Sequence, residues 1–351
     1  MKHVRVGVIG AGAISPDHCE GTMKHPQGEL VAIADIHRGR AKEIQALYKI
    51  PRIYTDYRDL IANPDIDAVC VALPNYLHVP VALAALRAGK HVLIDKPFAL
   101  NQKEAMKVVE ASKAARRVCM IGMNQRFHPQ CQIVKSLVRR GELGEIYFAK
   151  AYWARRSGSP RFGTWFCNKK ESGGGCVLDI GVHMLDLCLH LLDNFKPITV
   201  SGAVYTKFGN RKLGEGGWGK SDPGKHVFDV EDMASGLIRL RGDVTVQLEV
   251  SWARHQADPD RQNVELFGTQ AGASAYPATV YRYGKAPGEY EVVHPQGVKI
   301  AFPHCHRIVH WLDVVTGNAK LTCTLQESMA VQKILDALYL SAKTKKEVRI
   351  G

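Results

Sequence analysis

The N-terminal stretch VRVGVIGAGAIS, residues 4–15, constrains the fold of this chain more than any other segment. Its continuous apolar run is typical of a strand buried on both faces of a parallel sheet, and the glycines after it lead into a helical segment. The same alternation of apolar strand and helix recurs up to residue 123, with the strands LVAIAD, DAVCVAL, HVLID and VCMIG. Repeated strand–helix units predict an α/β domain with a doubly wound parallel sheet over residues 1–123.

After residue 123 the pattern changes to long strand-like runs: EIYFAKAYW, ITVSGAVYT, MASGLIRL, DVTVQLEVSWA and QNVELFG. Hairpin signals such as RGDV and GTQAGA separate some of them, and glycine-, proline- and charge-rich loops separate others. A chain of 351 residues is long enough for two domains. We therefore expect a second, α+β domain over residues 124–351 with an open, mostly antiparallel sheet. Its C-terminal helices are expected to pack either on this second sheet or back on the first domain.

The turn after the first strand carries Gly10-x-Gly12-x-x-Ser15, and Asp35 ends the next strand, 25 positions later (35 − 10). Glycines at these positions allow a tight turn and close approach of a pyrophosphate to a helix N-terminus, and the acid accepts hydrogen bonds from the ribose. The pattern predicts a Rossmann-type site for NAD, with NADP as the alternative because Arg38 follows closely; a turn without ligand is the remaining alternative. The turn residues assigned to the cofactor are Gly10, Gly12, Ala13 and Ile14.

A buried-looking helix, GGGCVLDIGVHMLDLCLHLLD over residues 173–193, carries ionisable groups on one stripe. Asp179, His183, Asp186 and His190 follow one another at spacings of +4, +3 and +4, which places them on one face. Burial of such groups is costly unless they are paired or used. Adjacent residues of one helix cannot surround an ion, and HExxH is absent, so we expect no metal; His190 fits a core histidine.

Two longer motifs, LPNYLHVPVALAALRAGKHVLIDKPFAL and SGGGCVLDIGVHMLDL, resemble the glucose–fructose oxidoreductase/inositol dehydrogenase (Gfo/Idh/MocA) family. The resemblance runs from VGVIGAG through NQRFHP and FDVEDMA to KILDALYLSA. It implies an N-terminal Rossmann domain and a C-terminal α/β domain whose open sheet often forms the subunit interface. A homodimer or homotetramer through that sheet is therefore expected.

The family's active-site positions fall on Lys96, Asp179 and His183 of this sequence. His183 suits a general base for a hydroxyl proton, Lys96 suits an alkoxide stabiliser, and Asp179 suits orientation of the substrate or the imidazole. Asp186, one turn later, is expected to support His183. The chain departs from the family at Asp95, where the EKP motif has glutamate, and this shortens the carboxylate by one methylene.

Further candidates flank these motifs. We expect additional cofactor contacts from Asn75, His78, Asp95, Lys96, Asn124 and Arg126. The substrate pocket is expected to include Lys96, Asp179 and His183 together with Trp153, Arg155, Arg156 and Trp165, because aromatic faces and guanidinium groups suit polyols. For the last four, plain packing is the alternative.

The composition restricts the partners and the compartment. The formal net charge of +13 is spread along the chain without a basic run interleaved with aromatic residues, so nucleic-acid binding is not expected. A basic surface makes a phosphorylated or acidic sugar a hypothesis. No signal peptide and no membrane-spanning run of roughly 20 apolar residues is expected. Nine scattered cysteines without a CxxC pair indicate a cytoplasmic protein with reduced thiols.

The function predicted from these observations is an NAD(P)-dependent dehydrogenase that oxidises a CH–OH group of a sugar, sugar derivative or cyclitol. Two alternatives stay open. One is glycoside cleavage through a keto intermediate with recycling of NAD. The other is a non-catalytic sugar or nucleotide sensor, which the presence of both Lys96 and His183 disfavours.

Overall fold

The structure of the protein is a computed structural model, and it describes residues 3–219, 227–298, 300 and 306–351. The chain divides into two compact units. The first comprises Met1–Met123, Lys170–Gly173 and His306–Gln332, and the second comprises Asn124–Lys169, Gly174–Cys305 and Lys333–Gly351. Part of one predicted glycine-rich loop, residues 220–226, lies outside the described residues, and so does one of the nine cysteines, Cys305.

The first unit is built on a six-stranded sheet in which every neighbouring pair is parallel. Its strands are β1 (Val4–Ile9), β2 (Gly28–Ala34), β3 (Arg52–Tyr54), β4 (Ala68–Val71), β5 (His91–Ile94) and β6 (Cys119–Ile121). The helices between them are α1 (Ser15–Lys24), α2 (Arg38–Tyr48), α3 (Tyr57–Ala62), α4 (Asn75–Arg87) and α5 (Gln102–Ala115). The order β3-β2-β1-β4-β5-β6 is that of a Rossmann fold and confirms the predicted doubly wound sheet.

The sequence analysis did not predict two short elements, β3 and α3. The strand β3 has only three residues, none of them fully buried, and α3 has six. Segments this short carry too few residues for a periodic apolar pattern, so they were assigned to no element. They matter for the topology, because β3 forms the edge of the parallel sheet beside β2.

The second unit contains a nine-stranded sheet in the order β14-β13-β12-β11-β7-β10-β9-β8-β15. The strands are β7 (Ile146–Arg155), β8 (Pro197–Tyr205), β9 (Met233–Leu240), β10 (Val244–Ser251), β11 (Asp260–Gly268), β12 (Gly272–Ala275), β13 (Ala278–Tyr283), β14 (Tyr290–Val293) and β15 (Val348–Arg349). The pair β10–β7 is parallel and the other pairs are antiparallel, which confirms the predicted α+β class. The helices after residue 123 are α6 (Pro129–Arg139), α7 (Lys169–Ser172), α8 (Val182–Leu192), α9 (Arg307–Val315) and α10 (Leu325–Thr344).

Residues Lys169–Leu192 form a helical segment that is long and apolar enough, by length and composition, to cross a membrane. This corrects the expectation that no run in the chain reaches that length. In the structure, 89% of its most apolar window is buried within the protein, as in the core helix of a folded domain. The length and apolar composition of this segment are therefore those of a helix in a protein core as well as those of a membrane-spanning helix.

Candidate active site

The glycine turn of the first unit has the geometry that a pyrophosphate needs. Gly10 adopts a φ of 107°, and a Cβ atom there would lie 2.1 Å from the carbonyl oxygen of Ala72, so no side chain is tolerated. A Cβ atom on Gly12 would meet nothing within 4 Å, so the backbone is open to a ligand on that side. No side chain caps the first N–H groups of α1, and these are the groups that bind anions at helix N-termini. Ala13 and Ile14 are exposed beside them.

Asp35 lies at the carboxyl end of β2 with its side chain directed at the glycine turn. Its Oδ2 atom accepts a hydrogen bond of 2.7 Å from the N–H of Ala11, and its Oδ1 atom accepts one of 2.7 Å from the N–H of His37. Each carboxylate oxygen keeps a further lone pair for a ribose hydroxyl. The exposed Arg38 begins α2 just beyond. The turn, the helix end and the carboxylate together fit a dinucleotide.

Asn75 and His78, two of the predicted cofactor contacts, are bonded to protein atoms. The amide of Asn75 donates a 2.7 Å hydrogen bond to the carbonyl oxygen of Ser172. The ring nitrogens of His78 lie 2.8 Å from the carbonyl oxygens of Leu73 and Pro97, and burial lowers the pKa of this imidazole. His78 thus lies between the turn after β4 and the turn after β5, and its contact with the cofactor stays a prediction.

The carboxylate of Asp95 lies near a guanidinium and an imidazole. Its Oδ1 atom accepts a 3.0 Å hydrogen bond from the N–H of Lys96, and the guanidinium of Arg307 and the imidazole of His18 each lie 3.9 Å from the carboxylate. Burial by itself raises the pKa of Asp95, but His18 and Arg307 outweigh burial and hold the pKa well below its usual value. An ionised carboxylate therefore fixes the backbone of Lys96, although glutamate is the family's residue here.

The segment around Arg307 carries an ion-pair chain that the sequence did not reveal. Arg307 also contacts Asp17 of α1 at 2.5 Å, and His306 approaches the same carboxylate at 3.3 Å. Burial raises the pKa of Asp17, but these two partners lower it to about 2. Gly122 leaves the space for Arg307, since a Cβ atom there would lie 3.0 Å from the guanidinium. His306 and Arg307 therefore form an ion-pair chain with Asp17 beside the cofactor turn.

In the second unit, the ionisable stripe of the buried helix divides into separate roles. Asp179 lies in a π-helical turn, Val177–Gly181, and accepts a 2.9 Å hydrogen bond from the indole N–H of the buried Trp252. Single π-turns are frequent at functional sites. His190 is buried, and burial lowers its pKa well below the usual value, as expected for a core histidine.

Two of the predicted site residues, Asp186 and Arg126, contact each other. Arg126 has no exposed side-chain surface and forms two hydrogen bonds with Asp186, of 2.8 and 2.6 Å. These two groups thus form a buried ion pair; the support of His183 by Asp186 and the reach of Arg126 to a cofactor or substrate stay predictions. A fully buried guanidinium needs a carboxylate, and this requirement decides the position of both groups. Asn124, two residues before Arg126, is exposed.

A cavity of about 480 Å³ in the second unit brings several candidates together. Its lining includes Asp179, His183, Trp153 and Arg155, four of the residues predicted for the substrate pocket, and the ring centroids of Trp153 and His183 lie 6.2 Å apart. Arg156 and Trp165 are absent from the described lining; Trp165 stacks on Phe166 with a centroid distance of 3.8 Å. The cavity places an imidazole and a carboxylate on one wall beside aromatic rings.

The sequence analysis did not name two of the lining residues, Trp218 and Asp260, as candidates, because both fall in segments that it assigned to loops. A signal for Trp218 was available, since a tryptophan among glycines and charges in EGGWGK has no helical or strand pattern to bury it. No comparable signal marks Asp260, which pairs with Arg155 across β7 and β11.

No group of three or more His, Cys, Asp or Glu residues within the described ranges could hold a metal ion. The eight described cysteines are buried and form no disulfide with one another. Burial raises the pKa of Cys19 to about 12, which keeps the thiol protonated.

Comparison with known families and proteins agrees with this geometry. Residues 4–123 match the family model GFO_IDH_MocA, described as an oxidoreductase family with an NAD-binding Rossmann fold, and residues 131–274 match its C-terminal domain. The chain is 29% identical to a D-glucoside 3-dehydrogenase of Escherichia coli (strain K12), covering 99% of this chain and 97% of that protein. It is 31% identical to an inositol 2-dehydrogenase of Acidothermus cellulolyticus, covering 71% and 67%.

Among solved structures, the fold is similar to a levoglucosan dehydrogenase in complex with NADH and levoglucosan. The TM-score is 0.85 at 21% identity, and the match covers 99% of this chain and 100% of the other. At that identity the likeness concerns the fold.

Proposed function

Because the chain belongs to the Gfo/Idh/MocA family of NAD-dependent oxidoreductases, we propose that it oxidises a secondary CH–OH group of a sugar, sugar derivative or cyclitol. The observation that carries this proposal is the cavity with His183 and Asp179 on its wall beside tryptophan rings. Aromatic surface with a few polar groups suits a polyol ring. Relatives named as glucoside and inositol dehydrogenases support the substrate class.

The roles of the residues follow from their chemistry. Bound NAD supplies the hydride acceptor. The glycine turn and the N-terminus of α1 bind the pyrophosphate, and Asp35 binds the adenosine ribose. His183 removes the hydroxyl proton, because an imidazole titrates near neutral pH, and Lys96 stabilises the negative charge that develops on the oxygen. Asp179, fixed by the indole of Trp252, orients the substrate or the imidazole.

The test is oxidation of a panel of sugars, glycosides and cyclitols with NAD and with NADP, followed by the absorbance of the reduced nicotinamide. We expect turnover with at least one panel member, and loss of about 10³-fold or more in kcat for Lys96→Ala and His183→Ala with nearly unchanged dinucleotide affinity. Lys103→Ala and His128→Ala, at exposed positions of the two units, are the matched controls. Loss of dinucleotide binding in both active-site variants would mean that their roles are misassigned, and glycoside cleavage without net NADH would favour the recycling mechanism.

The assembly and the compartment are part of the proposal. We propose a homodimer or homotetramer through the sheet of the second unit, whose strands expose apolar side chains such as Tyr147, Ile198 and Leu237. Light scattering coupled to size exclusion measures the molar mass, and a monomer at micromolar concentration would contradict this assembly.

A cytoplasmic location is proposed from the buried thiols.

A further inference from the structure

The charges on the wall of the cavity bear on which sugars can enter it. The described residues that line it include one guanidinium, Arg155, and two carboxylates, Asp179 and Asp260. The formal net charge of +13 is therefore not concentrated on this wall. A guanidinium that is paired with a carboxylate attracts a phosphate group less than its own charge suggests, because the carboxylate repels the same ligand.

The guanidinium of Arg155 is already engaged. Its Nε atom lies 3.4 Å from Oδ2 of Asp260, and its Cζ atom lies 4.6 Å from the centroid of the Trp153 ring. Asp260 is held on its other oxygen by a 2.9 Å hydrogen bond from the indole N–H of Trp153. Gly158 makes room for the arginine, since a Cβ atom there would lie 2.3 Å from Cδ of Arg155. Three side chains thus form one neutral unit on the wall.

The remaining carboxylate is fixed as well. Asp179 is 9% exposed and accepts the indole N–H of Trp252, so it cannot turn away from a ligand without breaking that bond. A phosphate dianion placed in the cavity would meet this carboxylate, while the guanidinium of Arg155 is already paired with Asp260. Like charges brought together at close range oppose binding strongly and give specificity against the charged ligand.

The uncharged part of the wall is well ordered for a sugar ring. The indole N–H of Trp218 donates a 2.9 Å hydrogen bond to the carbonyl oxygen of Gly158, and Phe166 packs edge-on against Trp218 with centroids 5.0 Å apart. Trp153 is fixed by Asp260, as described above. Rigid aromatic faces of this kind contact the C–H face of a pyranose or cyclitol while carboxylates accept its hydroxyl hydrogens.

We infer that this cavity selects neutral, unphosphorylated sugars or cyclitols and discriminates against their phosphates, with the Arg155–Asp260 pair as the specificity-determining element. The inference rests on the proposed dehydrogenase function and narrows its substrate class. It reverses the hypothesis drawn from the overall basic charge, because the described wall offers a phosphate group the carboxylate of Asp179 and a guanidinium already paired with Asp260.

The test compares the purified full-length protein on matched pairs, each a neutral sugar and its 6-phosphate, with saturating NAD at pH 8 and low ionic strength. We expect kcat/KM for the neutral member to exceed that for the phosphate by about 100-fold. Asp260→Asn removes the carboxylate paired with Arg155 and leaves the guanidinium free to attract a phosphate, so the preference for the neutral member should fall by about tenfold. Asp258→Asn, at a nearby exposed carboxylate paired with Arg261, should leave the preference unchanged.

The outcomes separate the two proposals. Equal or faster oxidation of the phosphates by the wild-type protein overturns the inference and leaves the dehydrogenase function standing. Turnover of neither class overturns the function, and the inference falls with it. If Asp260→Asn does not fold, the wild-type comparison still decides the question. If it folds and keeps the full preference, the assignment of specificity to the Arg155–Asp260 pair is wrong.

Discussion

Replacing Arg126 tests whether the buried helix of the second unit carries a structural ion pair in addition to active-site groups. Arg126 and Asp186 have side-chain exposures of 0% and 1% and are joined by two hydrogen bonds. The guanidinium also lies 5.1 Å from the centroid of the Phe195 ring. Arg126→Met keeps most of the side-chain volume but leaves the Asp186 carboxylate buried without this cation.

The expected magnitude follows from the burial of both groups. Breaking a buried pair by removing one partner costs about 3–5 kcal/mol, because an uncompensated charge stays in the core. We therefore expect Arg126→Met and Asp186→Leu each to lower the free energy of unfolding by about that amount. The double variant removes both charges and should lie within about 2 kcal/mol of the wild type, since apolar residues often replace buried ion pairs without loss.

Urea unfolding followed by tryptophan fluorescence measures these free energies without cofactor. Arg140→Met is the matched control, because Arg140 and Glu142 form a pair with exposures of 47% and 43%, and such surface changes usually stay within about 0.5 kcal/mol. A single variant that loses less than about 1 kcal/mol, or a double variant that loses the sum of the two singles, would refute the structural role. Retained dehydrogenase activity in a folded double variant would place Asp186 outside the catalytic machinery.

Three further predictions concern the cofactor turn and the core. Gly10→Ala should destabilise the ligand-free protein by at least about 2 kcal/mol, whereas Gly12→Ala should spare stability but weaken NAD binding about tenfold by calorimetry. Asp35→Asn removes the charge opposite a 2′-phosphate, so the NADP to NAD ratio of kcat/KM should increase about tenfold; an unchanged ratio would contradict the ribose assignment. Burial lowers the pKa of His190, so the folded protein resists protonation there and stability should fall as the pH drops below about 6.5; urea unfolding at pH 7.5 and 5.5 should show a weaker decrease in His190→Gln.

Local patterns determined the architecture of this protein. The apolar run of β1, the glycines after it and the acid that ends β2 predicted the Rossmann unit and the place of its cofactor, because backbone conformation and strand burial depend on neighbouring residues. The strand-like runs of sequence at β7 to β11 predicted the second sheet in the same way. The helical spacing placed Asp179 and His183 on one stripe, and both line the cavity.

The partners of the buried charges were decided by tertiary structure alone. Arg126 and Asp186 are 60 residues apart, and Trp252 and Asp179 are 73 apart. A buried charge must be paired, but which group pairs with it depends on the packing of elements that are distant in sequence. For the same reason a net charge counted over the whole chain could not give the charge of the cavity wall, where a cross-strand carboxylate faces Arg155.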